Sequence, residues 1–155
     1  MRVYLPSTLS ALATFFADGG ARGPVRAFAV TRALREDGED DEELEYAALQ
    51  AAADESLRML AADPGAPRRR VVIAAEIPGH VVEEDAGEQE DPAAVTVTGT
   101  VPVKRVASAH VDEEEAAGDI AAAVADPEAG TAEEHELLWY ATQEVRFLVG
   151  SDGQG

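Results

Sequence analysis

No cysteine occurs in the 155 residues. Disulfides, thiolate metal sites and cysteine nucleophiles are thereby excluded, and a reducing cytoplasm is the expected compartment. Aromatic residues make up only 5% of the chain and include a single tryptophan. The core must therefore be built from alanine, valine, leucine and isoleucine. Positive charge is equally scarce, with 12 Lys and Arg against 31 Asp and Glu, a net charge of −19. Nucleic-acid binding depends on cations that neutralise phosphates, so no nucleic-acid partner is expected, and anionic membrane surfaces are disfavoured for the same reason. A protein with a basic surface is the partner such a field attracts. No stretch reaches the roughly 18 apolar residues of a membrane span. The first residues, Met1-Arg2-Val3-Tyr4-Leu5-Pro6, carry no apolar run of signal-peptide length. The phosphate loop G-x-x-x-x-G-K-[ST], the dinucleotide fingerprint G-x-G-x-x-G and the nucleophile elbow G-x-S-x-G are missing, and no cofactor is implied.

What remains suffices for a folded domain. Hydrophobic residues form 46% of the chain, and its length permits a buried core. One globular domain over residues 1–149 is expected, with acidic loops near 36–41 and 83–92. The glycine-rich stretch 150–155 reads as a disordered tail. Residues 36–45 hold eight acids in ten positions, a solvated block whose end doubles as a helix start.

Arg2-Val3-Tyr4-Leu5 reads as a first strand stopped by Pro6. Ser7 stands at an N-cap position before Leu9, Leu12, Ala13 and Phe16 at helical spacing, and Gly19-Gly20 closes that helix. Residues 25–31 form a second strand. A helix over 42–62 is capped by Asp40 or Asp41, carries Tyr46, Leu49, Ala53, Leu57 and Leu60 along one face, and stops at Asp63-Pro64-Gly65. Residues 71–77 are apolar but for Glu76 and β-branched at their start, which predicts a central strand covered on both faces. Strands over 95–98 and 103–111 follow. Asp112-Glu113-Glu114-Glu115 opens a short helix with Ile120 and Val124 as apolar contacts, and residues 131–148 form the last helix. The alternating first half predicts an α/β class: a single-domain sandwich with a mixed, largely parallel sheet of about five strands and four helices. A two-layer α+β arrangement is the alternative.

The candidate site residues are His110, Asp112 and His135. Two imidazoles and a carboxylate can form a zinc or non-haem iron donor set, or serve as general acid and base, with Ser108 or Tyr140 assisting. Against this stand the helix caps. Thr131-Ala132-Glu133-Glu134 has the form of a capping box, and Asp112-Glu113-Glu114-Glu115 has the same shape with Asp112 as cap. Trp139 reads as a volume filler beside a buried stripe of Leu138, Ala141, Val145 and Leu148. Arg68-Arg69-Arg70, the one basic cluster, reads as a set of exposed ion pairs with neighbouring acids in preference to an anion site.

Four segments together resemble an uncharacterised family of small actinobacterial proteins. They are Arg2-Val3-Tyr4-Leu5-Pro6 with Ala27-Phe28-Ala29-Val30-Thr31, Glu42-Glu43-Leu44-Glu45-Tyr46-Ala47-Ala48-Leu49, Arg105-Val106-Ala107-Ser108-Ala109-His110-Val111-Asp112, and His135-Glu136-Leu137-Leu138-Trp139-Tyr140-Ala141-Thr142-Gln143-Glu144. The resemblance spans nearly the whole chain and departs at residues 35–38, where an aromatic or two is expected. It implies one intact domain of unknown function and supplies no catalytic residues. Two functional readings stay open: a small cytoplasmic interaction or regulatory domain, and a metal-dependent or His-based enzyme around His110, Asp112 and His135.

Overall fold

A computed structural model describes residues 1–36, 40–84 and 91–153. Parts of both predicted acidic loops (37–39 and 85–90) and the last two residues of the predicted tail (154–155) lie outside the described residues. In chain order the first half comprises β1 (Arg2–Ser7), α1 (Leu9–Ala17), β2 (Gly20–Ala21), β3 (Val25–Phe28), α2 (Arg32–Arg35), α3 (Asp41–Ala62) and β4 (Val71–Glu76). The second half comprises β5 (Val82–Glu84), β6 (Ala94–Val97), β7 (Val101–Pro102), β8 (Val106–Val111), α4 (Ala117–Ala125), β9 (Leu138–Ala141) and α5 (Thr142–Gly153).

The helix starts follow local chemistry. Thr8 caps α1, its hydroxyl accepting from the Ala11 N–H, one residue later than the predicted Ser7. Asp40 caps α3 by accepting from the Glu43 N–H, and Asp41, Glu42 and Glu43 place negative charge at the positive end of the helix dipole. The buried face of α3 is rotated from the expected one. Leu44, Ala48, Ala51, Ala52, Ala53, Ser56 and Leu60 point inward, while Tyr46 is 52% exposed. Alanine lets the helix lie close to a sheet that presents the larger residues Tyr4, Phe28 and Val72. Ser56 fastens the layers together: its hydroxyl donates to the Ser7 carbonyl (2.7 Å) and accepts from the Val71 N–H (3.0 Å).

Seven strands pair in the order β5-β6-β3-β1-β4-β8-β9, and every pairing is antiparallel. The expected mixed, largely parallel sheet of an α/β sandwich is therefore incorrect, and the class is α+β. The reason lies in strand adjacency. Both β3 and β4 run antiparallel to β1, so they share a direction and α3 joins them as a crossover. β1, however, lies between them. Alternation along the sequence detects a crossover but cannot tell whether a third strand occupies the gap. A separate antiparallel ribbon pairs β2 with β7.

Helices cover both faces of the sheet. Val3, Leu5, Val71, Ile73, Ala109 and Val111 face α1 and Val145 of α5, whereas Tyr4, Phe28, Val72 and Ala74 face α3. A third cluster joins Leu60 of α3 to Ile120 and Ala123 of α4. β4 is buried from Val71 to Ala75, as its uninterrupted apolar run requires. Where β4 pairs with β8 the register slips between Ala74 and Ala75 of β4, which oppose Ser108 and Val106 and leave Ala107 of β8 as the extra residue of a bulge. Thr142 at the start of α5 donates to the Val106 and Ala107 carbonyls that the bulge displaces.

Pro6 leaves a second irregularity. β1 pairs with β4 at all six positions, from Arg2↔Glu76 to Ser7↔Val71. On its other edge β1 meets β3 only at Tyr4↔Phe28. Proline has no N–H to donate, so the ladder is not continued at Pro6 and the two strands part.

Candidate functional site

β8 carries Ser108 and His110 on the face that looks toward α3, and the chain leaves this strand at Asp112. Asp112 is fully buried, and so is its partner Arg70 at the entrance to β4, with side chains 0% and 4% exposed. One Asp112 carboxylate oxygen accepts from the Arg70 N–H and Nε, both at 2.8 Å, and the other from Nη2 at 2.9 Å. Arg70 Nη2 also donates to the carbonyls of Ala132 (3.3 Å) and His135 (3.0 Å). Arg69 Nε donates to the Asp112 carbonyl, and Arg68 caps the end of α3 through the Leu60 and Asp63 carbonyls. The basic triplet is thus a staple between β4, β8, α3 and the 131–135 segment, where exposed ion pairs were expected. Asp112 caps no helix. A carboxylate that accepts three hydrogen bonds inside the protein is committed to one geometry.

The second expected capping box also dissolves. Thr131 donates to the Asp119 carbonyl at 2.8 Å, and the turn that follows has no side-chain cap. Gly130, at φ 72°, supplies the left-handed conformation that joins two successive 3-10 turns here. The predicted helix over 131–148 divides into a 3-10 turn at Thr131–Glu134, the edge strand β9, and α5, which continues through Gly153.

The structure gives His110 and His135 different surroundings. His110 opposes Val72 on one side and Trp139 on the other, and its Nε2 lies 3.4 Å from the Ser108 hydroxyl. Burial, reinforced by the Arg2 charge, holds its pKa below the ordinary histidine value. His135 Nε2 lies 2.7 Å from the Asp119 carboxylate, and that hydrogen bond raises its pKa. Among the described residues no group of three or more His, Asp or Glu side chains is placed to hold a metal ion.

The two shifts give opposite pH dependences. His135, raised, contributes stability that is complete below about pH 6.5 and is lost as pH rises through its folded value. His110, lowered, contributes stability above about pH 6.5 that is lost as pH falls through its folded value. Urea midpoints should therefore show His135→Gln falling furthest below wild type near about pH 5.5 and approaching it by about pH 8. His110→Gln should gain on wild type in the acid direction. An offset that stays constant with pH for either variant would remove that histidine from the linkage.

β9 is the outer strand beyond β8, pairing from Ser108↔Ala141 to Val111↔Leu138. Trp139 was expected in the core; it is 61% exposed, and Leu138 is 43% exposed. Val145 is buried, whereas Ala141 and Leu148 are only partly so. Tyr140 packs on the core face with Val145. Exposed Glu133, Glu134 and Glu136 precede the strand, and exposed Glu144 follows it.

Comparison with known families supplies a lineage. A family described as being of unknown function, DUF6912, matches residues 1–149. The chain belongs to it. No curated protein and no solved structure matches the chain. The DUF6912 match covers every strand of the sheet, from β1 through β9. Membership assigns no catalytic residue, so the chemistry of this DUF6912 member has to be read from its surface. Two features of the structure have only faint sequence signals: buried Arg70 directly before a β-branched run, and Pro6 inside the first strand.

Proposed function

We propose that this protein is an interaction module that receives an extended, basic segment of a partner protein along the outer edge of β9, which pairs with no strand among the described residues. The carrying observation is Trp139, an exposed tryptophan on an outer strand in a chain with few aromatics. An open edge offers backbone donors and acceptors to an added strand. The indole offers a face to an arginine or lysine of that strand. Glu133, Glu134, Glu136 and Glu144 flank the edge and complement a basic sequence, while two edges of this acidic chain would repel each other.

The test uses isotope-labelled protein titrated with a peptide of alternating arginine and valine, against a lysine-only peptide of equal charge. The expected result is amide shifts concentrated in β9 and β8 for the alternating peptide, weakening as salt rises from about 50 to about 500 mM. Shifts spread equally over the acidic first turn of α3, or identical responses to both peptides, would reduce the effect to bulk charge attraction and end the proposal.

A further inference from the structure

The parting of β1 from β3 beyond Tyr4↔Phe28 opens a cleft of about 840 Å³ through the sheet layer. Its size falls within the range of small-molecule pockets, about 300–1,000 Å³. Leu5 and Ile73 line it from the sheet, Phe15 from α1, Val25 from β3 and Met59 from α3, so most of its wall is hydrocarbon. Arg22, exposed on the loop after β2, stands on its lining. Among the described residues Arg22 has no hydrogen-bond or ion-pair partner, whereas Glu55 on the same lining is paired with Arg58 at 2.5 Å. Asp18, also on the lining, is exposed at the C-terminal end of α1. An uncommitted guanidinium beside an apolar cavity selects a ligand that is apolar along most of its length and anionic at one end.

From this geometry we infer that the cleft binds an amphipathic carboxylate, its hydrocarbon body between Phe15, Ile73 and Met59 and its carboxylate on Arg22. A guanidinium fits a carboxylate through two parallel N–H donors, which fixes the orientation of the ligand as well as its charge. The protein's overall negative field opposes any anion at long range, so binding here depends on local contact and should hold or strengthen as salt is raised. That response is opposite to the one expected at β9, which lies three strand positions away from β1 in the sheet order.

Isoleucine methyl signals provide the readout, because the chain has three isoleucines and only Ile73 lines the cleft while Ile120 lies in the α3–α4 cluster. The full-length protein is titrated with decanoate, decanol and decyltrimethylammonium. Decanoate is expected to shift Ile73 and leave Ile120 in place, and to bind at least about tenfold more tightly than the other two. Arg22→Gln should remove that preference without altering decanol binding, and Arg22→Lys should restore part of it. Met59→Trp, which fills the cleft from α3, should weaken all three. Equal affinity for the three compounds, an unshifted Ile73, or an Arg22→Gln variant that still prefers decanoate overturns the inference.

Discussion

Asp112→Ala is expected to lower stability by about 3–5 kcal/mol, the usual consequence of removing one partner from a buried ion pair. The magnitude follows from what is left behind. Arg70, 4% exposed, would keep its charge without a counter-ion, and its own N–H would lose an acceptor as well. The loss should propagate, because Arg70 also holds the Ala132 and His135 carbonyls and thereby the segment leading to β9. Urea denaturation followed by circular dichroism measures the effect. A double-mutant cycle with Arg70→Met separates the pair from its surroundings: the double variant should be more stable than Asp112→Ala alone, since the uncompensated charge is gone. An Asp112→Ala variant within about 0.5 kcal/mol of wild type would show that the pair is not holding these strands together.

Trp139→Ala is expected to change binding far more than folding. With 61% of the residue exposed, its removal should shift stability by no more than about 0.5 kcal/mol. An exposed tryptophan at the centre of a docking edge has the character of a binding hot spot, where truncation costs about 2 kcal/mol or more, roughly thirtyfold in affinity. The alternating basic peptide should therefore bind at least that much more weakly. Glu136→Lys and Glu144→Lys should act differently, slowing association and flattening the salt dependence. If Trp139→Ala bound as wild type while the charge reversals abolished binding, the edge would be an electrostatic landing site without strand addition.

These expectations depend on features that were unevenly visible in the sequence. The limits of α3 were legible because Asp40 and the acids after it act within one turn, and its end is marked by Asp63-Pro64-Gly65. The two-sided burial of β4 was legible from its composition. The spacing over 131–148 suits a helix, yet Leu138–Ala141 gains backbone partners in β8 that no local pattern encodes. Rarity and size point Trp139 to the core; being on an outer strand, it faces water instead. Of the named site residues, His110 and Asp112 do share one end of β8, but Asp112 turns to Arg70 and His135 turns to Asp119.

The sequence by itself determined where α3 begins and, to within a residue, where α1 begins, which strand is buried on both sides, the absence of thiol chemistry and the sign of the surface field. Each of these is set by residues a few positions apart or by composition as a whole. Tertiary structure alone decided that β1 lies between β3 and β4, that Asp112 meets Arg70 across 42 residues of chain, and that Pro6 parts two strands into a cleft. Those outcomes rest on pairing between distant segments, where backbone hydrogen bonds and burial are shared by residues that carry no mark of each other in the linear order.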